Sequence, residues 1–205
     1  MTSVHVSTES KQDHATPNVF LGAVQQAFGC DLDLDLAATE QNKKCLRFIS
    51  PEMDSLKQDW KALLEAETPE HEFFRESHLA AWLNPPFRGV DPWMEKCKTE
   101  SARGMRIVSL TLASLGTSWY RNHVEGRALS LVLRKRVTFL GQKDPFPKEL
   151  MIALWGFGLT GFGFWDPPAW AVREERRAAP AEASEAEQDS ELWPLEEARA
   201  EGTEG

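Results

Sequence analysis

Two consecutive prolines, Pro85 and Pro86, place the firmest constraint on how this chain can fold. They follow Asn84 at the end of the short apolar run formed by residues 79–83. Because proline lacks a backbone N–H and its ring fixes φ, two in succession continue neither a central strand nor the interior of a helix. The apolar run is therefore predicted to be a buried strand, and the chain must turn directly after it.

Segments with strand patterns and segments with helical patterns alternate on both sides of this turn. The predicted strands are residues 31–38, 46–49, 79–83, 106–115, 129–140 and 150–159, and the predicted helices are residues 19–28, 53–64, 93–99 and 117–124. Thr16 is the predicted N-cap of the first helix, with Pro17 at its first position and Gly29 closing it. The alternation favours an α/β fold, with a sheet covered by helices on both faces.

The length of 205 residues suits one domain. Residues 1–15 are polar and unpatterned and are predicted to be a disordered lead-in, so the domain is predicted over residues 16–165. Residues 166–205 are rich in Pro, Ala and Glu, which is typical of a disordered tail. From Glu174 onward the chain carries −8 of its total charge of −9, so the rest is nearly neutral. A nucleic-acid partner is therefore compatible with the domain despite the acidic total.

Cysteine and histidine usage favours neither a metal site nor a disulfide framework. The three cysteines are far apart without a CxxC, and the histidines show no ligand spacing. Asp31, Asp33 and Asp35 alternate, but two of them as solvent-facing strand residues explain the pattern better than a metal-binding face, so no metal is predicted. No apolar run approaches the length of a membrane span, and the first ten residues lack a signal-peptide pattern. A reducing cytoplasm is the expected location.

The tetrapeptide Asn84-Pro85-Pro86-Phe87 has the features that methylation of an aromatic amine requires. The prolines remove two donors, which leaves the side-chain oxygen of Asn84 and the carbonyl of Pro85 as acceptors. The N6 amine of adenine is a poor nucleophile, and two acceptors bound to its protons would stabilise the charge that grows on nitrogen. The ring of Phe87 would stack on a flipped base. The alternative is that the tetrapeptide is merely a rigid turn.

The chain resembles the phage-type DNA N6-adenine methyltransferases from about residue 16 to residue 165. The motifs that carry the resemblance occur in order as Thr16-Pro17, Phe28-Gly29, Asp35-Leu36-Ala37-Ala38, Asn42-Lys43-Lys44-Cys45, Phe48, Asp54-Ser55-Leu56, Trp60, Trp82-Leu83-Asn84-Pro85-Pro86-Phe87, Lys96, Thr117-Ser118-Trp119 and Arg136-Val137-Thr138-Phe139-Leu140-Gly141. Each motif is weak alone, whereas the ordered set is specific.

This resemblance implies a Rossmann-like methyltransferase sheet and methyl transfer from S-adenosylmethionine to the N6 amine of adenine in DNA. It assigns catalysis to Asn84, Pro85, Pro86 and Phe87, and cofactor binding to Thr16, Pro17, Asp35, Ala37 and Asp54. Asp35 ends the first predicted strand, where open α/β sheets place ligand-binding groups. Its carboxylate suits the ammonium of the methionine moiety or a ribose hydroxyl. The implied setting is the cytoplasm of a bacterial or phage-infected host cell.

The sequence departs from the family pattern at three places. Ala37 and Ala38 stand where a typical nucleotide-binding turn has glycines, as they do in this family. Residues 65–77 form a longer segment before the catalytic strand, and residues 112–114 replace an expected proline-bearing turn. These departures concern the shape of the pocket wall.

The predicted contacts to nucleic acid are Arg134, Arg136 and Trp119. On the strand predicted over residues 129–140, alternation places both arginines on one face, where they would grip phosphates. A solvated strand edge explains the arginines about as well, and a core position is the alternative for Trp119. Residues 65–77 and 141–147 are further candidates for surfaces that face DNA.

Two other functions remain open from the sequence. Related Asn-Pro-Pro-aromatic loops also serve methyltransferases that act on RNA or on protein glutamine, where the target nitrogen poses the same electrostatic problem. The second alternative is a catalytically degenerate module that only binds nucleic acid or a partner protein. The intact tetrapeptide favours the active enzyme.

Overall fold

The computed structural model describes residues 15–66 and 78–172. The predictions for residues 1–14, for most of the 65–77 segment and for the tail from residue 173 onward therefore lie outside the described residues. The strands are β1 (Asp31–Asp35), β2 (Arg47–Phe48), β3 (Leu79–Leu83), β4 (Ile107–Leu112), β5 (Ala128–Leu133), β6 (Leu150–Trp155) and β7 (Gly161–Trp165). The helices are α1 (Asn18–Phe28), α2 (Trp60–Glu65) and α3 (Asp91–Ala102), with a π-helix at Tyr120–Val124 and 3-10 turns at Pro51–Met53, Ser55–Lys57 and Ala169–Ala171.

The strands form one mixed seven-stranded sheet in the order β2-β1-β3-β4-β6-β5-β7. Within the described ranges, β6 runs antiparallel to both of its neighbours and the other strand pairs are parallel. The carboxyl ends of β1 and β3 therefore lie side by side at one edge of the sheet, with Asp35 paired in register with Trp82. Ligands of open α/β sheets bind at this kind of edge.

Side chains that alternate along the central strands divide the core between the two faces of the sheet. Ala80 and Trp82 pack with α1, whereas Ala81 and Leu83 pack with α2, α3 and the π-helix. The period of two of an extended strand produces this division, and residues on both faces are apolar because helices cover both. The predicted α/β fold with helices on both faces is confirmed.

The strand predicted over residues 129–140 was too long, because β5 ends at Leu133. The Arg134 N–H still donates to the Trp165 carbonyl at 2.9 Å, and then the chain leaves the sheet. Alternation along a strand therefore cannot place Arg134 and Arg136 on a common face. On the side away from β6, β5 pairs with β7, a strand that was not predicted from the sequence.

The predicted start of the first helix was also wrong. Helix α1 begins at Asn18, with Pro17 in the cap position and no side-chain capping hydrogen bond. The predicted end is confirmed, since Gly29 closes the helix in the left-handed conformation at φ 57°. The helix predicted over residues 53–64 becomes two 3-10 turns followed by α2, whose cap Asp59 accepts a hydrogen bond from the Ala62 N–H.

The packed region continues beyond residue 165, where the sequence analysis ended the domain. Asp166 forms an ion pair with Lys135 at 2.7 Å, and the Val172 carbonyl accepts from the Thr138 N–H at 2.8 Å. Ala171 is fully buried in this segment. Across the described residues, no helix is both long enough and apolar enough to cross a membrane.

Candidate active site

A cavity of about 380 Å³ opens where the carboxyl ends of β1 and β3 meet. Its volume falls within the roughly 300–1,000 Å³ of pockets that hold cofactors and drug-sized ligands. Six of the residues assigned to catalysis or cofactor binding line it: Thr16, Asp35, Ala37, Asp54, Asn84 and Pro86. Residues that are far apart in sequence therefore converge on one site.

Asp35 is the buried anion of this cavity, with 2% of its surface exposed. Its two carboxylate oxygens accept hydrogen bonds from the N–H groups of Ala37 and Lys44 at 3.2 and 3.0 Å. These donors lie in the loop between β1 and β2, so the carboxylate fixes that loop. Burial raises the pKa of Asp35 to about 6, while both N–H groups and the Lys44 ammonium act to lower it. The carboxyl is therefore mostly ionised at neutral pH.

Lys44 brings a positive charge to the same cavity. Its ammonium donates to the side-chain oxygen of Asn18 at 3.3 Å, which ties it to the first turn of α1. The sequence analysis used Lys44 only as part of a family motif and gave it no role. Its position two residues after Asn42, within the motif Asn42-Lys43-Lys44-Cys45, was the available signal.

The wall opposite α1 contains a residue in an unusual backbone conformation. Asp54 lies at φ 52° and ψ 81°, in the left-handed region that non-glycine residues rarely adopt. Its carboxylate forms an ion pair with the ammonium of Lys57 at 2.7 Å. Such conformations persist where the surrounding structure enforces them, which is common at ligand sites.

Two stacked tryptophans brace this wall. The Trp60 indole N–H lies 2.8 Å from the carbonyl and 3.0 Å from the hydroxyl of the cavity-lining Ser55. The Trp60 ring stacks on Trp93 with 6.3 Å between ring centroids. Trp93 itself lines the cavity, although no site role was predicted for it from the sequence. Its place at the start of α3, shortly after the prolines, was the signal that could have identified it.

The loop of residues 84–87 contributes two side chains to the cavity, Asn84 and Pro86. The Asn84 side-chain amide donates through Nδ2 to the hydroxyl of Thr16 at 3.2 Å. Pro85 is buried, and Phe87 is half-buried with its ring edge-on to Phe146 at 5.6 Å.

The remaining predicted residues are not among those that line this cavity in the described parts of the chain. They are Pro17, Pro85, Phe87, Trp119, Arg134 and Arg136. Trp119 is half-buried with its ring edge-on to Tyr120. The exposed Arg134 guanidinium lies 4.8 Å from the centre of the Phe164 ring, and the exposed Arg136 forms an ion pair with Glu149 at 3.3 Å.

The three alternating aspartates occupy different environments. Asp31 is exposed, Asp33 forms an ion pair with Arg47, and Asp35 holds the loop after β1. Within residues 15–66 and 78–172, no group of three or more His, Cys, Asp or Glu side chains is arranged to hold a metal ion.

The family model described as DNA N-6-adenine-methyltransferase (Dam) matches residues 3–148, which include every residue that lines the cavity. The chain belongs to this family. The DNA N-6-adenine-methyltransferase of Haemophilus phage HP1 (strain HP1c1) is 25% identical to it over 145 residues, covering 70% of this chain and 75% of the relative. The enzyme of the same name from Escherichia phage T1 is 29% identical over 106 residues, covering 52% of this chain and 38% of the relative.

Membership in the Dam family confirms the resemblance that the sequence motifs carry. It also confirms the predicted enzyme class, a DNA methyltransferase directed at the N6 amine of adenine. A Dam-family enzyme needs a methyl donor and has DNA as its substrate.

Proposed function

We propose that this chain transfers the methyl group of S-adenosylmethionine to the N6 amine of an adenine flipped out of DNA beside residues 84–87. The observation that carries the proposal is that Asn84 and the buried carboxylate of Asp35 line one cavity. The cavity offers an amide to an amine and charged groups to a zwitterion.

The residues present fit S-adenosylmethionine. Asp35 supplies a buried negative charge and Lys44 a positive charge, which match the ammonium and carboxylate of a methionine moiety. We propose Thr16, Pro17, Asp35, Ala37 and Asp54 as the cofactor-binding residues. Asp54 would accept from the adenine amine of the cofactor. When bound, the cofactor supplies an electrophilic methyl group.

The 84–87 loop would hold the target amine. The Asn84 Oδ1 and the Pro85 carbonyl accept its two protons, so the amine nitrogen is fixed and its lone pair is directed at the methyl group. As nitrogen takes the methyl group, positive charge grows on it, and the two acceptors stabilise that charge. The S–CH₃ bond of the donor would break as the N–CH₃ bond forms, and one amine proton would then pass to solvent water, which leaves a neutral methylated amine. Pro86 keeps the loop rigid, and the half-buried Phe87 stacks on the flipped base.

Arg134, Arg136 and Trp119 are the proposed contacts to DNA outside the cavity. Arg134 follows β5, and β5 runs parallel to β3, so both strands end at the same edge of the sheet. Three strand spacings separate them, a distance of about 14 Å. A duplex that delivers a base to Asn84 would therefore pass close to Arg134. The reaction belongs in the cytoplasm of a bacterial or phage-infected cell, where such DNA is found.

The test measures methyl transfer from labelled S-adenosylmethionine to unmethylated double-stranded DNA, with nucleoside analysis of the product. We expect N6-methyladenine with the wild-type chain and a loss of about 10²–10³-fold in kcat with Asn84→Ala, since a preorganised acceptor is removed. Asn122→Ala, an exposed position on the π-helix, is the matched control and should retain full activity.

Other results would point to the alternatives. Cofactor binding without transfer to DNA would make RNA or protein glutamine the better substrate. A chain that binds no cofactor would be a degenerate nucleic-acid-binding module. Full activity in Asn84→Ala would exclude the 84–87 loop as the site of reaction.

A further inference from the structure

The hydrogen bond between Asn84 and Thr16 joins the 84–87 loop to a segment 68 residues earlier in the chain. The Asn84 Nδ2 donates to the Thr16 Oγ1 at 3.2 Å, and Thr16 is almost fully buried, with 1% of its surface exposed. Thr16 makes no capping bond to α1, so the hydrogen bond to Asn84 is the role that the structure gives its hydroxyl.

Backbone contacts on both sides hold Thr16 in place. The carbonyl of Ala15 accepts from the Leu140 N–H at 2.9 Å, which anchors the chain before Thr16 to the segment that follows β5. After Thr16, the Pro17 ring sits at φ −61°, and its carbonyl accepts from the Phe20 N–H at 3.0 Å at the start of α1.

Core packing fixes Thr16 relative to the catalytic strand. Phe20 is fully buried and meets Trp82 edge-on, with 6.4 Å between ring centroids. Trp82 lies on β3, two residues before Asn84. The first turn of α1 and the end of β3 are therefore held together by a buried aromatic contact as well as by the hydrogen bond.

The orientation of the Asn84 amide decides whether it offers the target amine a donor or an acceptor. A carboxamide has a donor arm and an acceptor arm, and only the acceptor arm can receive a proton from an amine. With Nδ2 turned to Thr16, Oδ1 lies on the opposite arm. If the amide rotated by half a turn, its NH₂ group would face the NH₂ group of adenine, donor against donor, and the target would lose an acceptor.

We propose that Thr16 is a positioning residue, whose hydroxyl holds the Asn84 amide with Oδ1 directed at the target amine. The proposal rests on the proposed function and adds to the part of Thr16 in the cofactor pocket. Thr16 acts through Asn84 and does not touch the amine. Thr16 therefore both lines the cofactor cavity and bonds to the loop that would hold the target amine.

The test compares Thr16→Val with Thr16→Ser. Valine keeps the shape of threonine but offers no acceptor, whereas serine retains the hydroxyl. We expect Thr16→Val to lower kcat about tenfold, the effect of losing roughly one hydrogen bond. The Kd for S-adenosylmethionine should change little, because valine keeps the shape with which Thr16 lines the cofactor cavity. Thr16→Ser should restore kcat to within about twofold of wild type, since its hydroxyl can make the same bond.

Three controls make the result decisive. Turnover is counted per cofactor-binding site, so an unfolded fraction does not enter the rate. Thr16→Ala serves as a second variant without the acceptor. Thr99→Val, at an exposed position on α3, makes the same substitution away from the cavity and should leave kcat unchanged.

A higher Kd for the cofactor with an unchanged kcat in Thr16→Val would overturn the proposal and leave Thr16 as a cofactor contact. Equal losses of kcat in Thr16→Val and Thr16→Ser would overturn it too, because the hydroxyl would not be the group that matters. If the wild-type chain methylates no adenine, the proposed function fails and this inference falls with it. An active wild type with an unaffected Thr16→Val refutes the inference alone.

Discussion

At the scale of single residues, Asp35 combines burial with two hydrogen bonds from its own loop. The N–H groups of Ala37 and Lys44 favour its charged form, while burial disfavours it more strongly, and the pKa rises from 3.8 to about 6. An anion kept at such a cost to folding is typical of a ligand site.

Asp35 should make the folded state less stable as the pH rises. Its pKa is higher in the folded chain than in the unfolded chain, so between pH 4 and pH 6 the folded state binds more protons. The contribution to the free energy of unfolding is complete below about pH 4 and declines by about 2–3 kcal/mol as the pH passes 6. Urea titrations at several pH values should measure the free energy of unfolding of wild type and of Asp35→Asn. The difference between the two should change between pH 4 and pH 6 and become constant at higher pH.

Asp59 provides a control of opposite sign. Its pKa is lowered to about 2, mainly by the hydrogen bond from Arg103 and further by the hydrogen bond from the Ala62 N–H. Its contribution is present above the ordinary pKa and is lost as the pH falls from 4 towards 2. Asp59→Asn should therefore keep the wild-type slope between pH 4 and pH 6. A flat difference between wild type and Asp35→Asn over that window would contradict the account of Asp35.

At the scale of elements, strand ends depend on partners as much as on local pattern. After the basic residues 134–136, apolar residues recur at Val137 and Phe139, so periodicity predicted a strand to residue 140. The strand ends at Leu133 because the paired segment β7 ends opposite it at Trp165. In β7 itself, Gly161 and Gly163 alternate with Phe162 and Phe164, and because glycine is unfavourable in strands the strand pattern is weak.

The turn after β6 requires glycine at one position for two separate reasons. Gly156 lies at φ +73°, and a Cβ there would approach the Met105 carbonyl oxygen to 2.2 Å. Gly158 lies at φ +72° with nothing within 4 Å of an added Cβ. Alanine substitutions at these two glycines therefore separate the cost of the left-handed conformation from the cost of steric overlap.

Gly156→Ala should lower the free energy of unfolding by at least about 3 kcal/mol, because the left-handed conformation costs about 1–2 kcal/mol and the backbone must also shift away from Met105. Gly158→Ala should cost only the first of these, about 1–2 kcal/mol. Urea denaturation measures both values. Equal losses in the two variants would show that the contact with Met105 is relieved without cost.

At the scale of the whole molecule, charge is unevenly distributed along the chain. The segment from Glu174 onward carries −8 of the total of −9, while the packed region presents exposed arginines at positions 134 and 136. Like charges repel over about 10 Å at 0.1 M salt and over shorter distances at higher salt. Charge alone therefore predicts that the acidic segment opposes the approach of DNA.

Removal of residues 174–205 should lower the KM for DNA several-fold at low ionic strength, since the remaining chain is nearly neutral. The gain should shrink as salt is added, because the repulsion is screened. Steady-state kinetics at several salt concentrations tests this, and the control is a tail of equal length in which Gln replaces eight of the ten glutamates, which brings its net charge to zero. An acidic tail and a neutral tail that give the same KM at low salt would rule the effect out.

The sequence by itself determined the turn after β3, the α/β alternation and the family, because prolines, periodicity and ordered motifs are local properties of the chain. Only the tertiary structure decided which residues share the cavity. Lys44 and Trp93 belong to it, Phe87 turns towards Phe146, and Thr16 contacts Asn84 instead of capping α1. Periodicity describes one element at a time, whereas these contacts depend on strand order and on how α1 packs across β3.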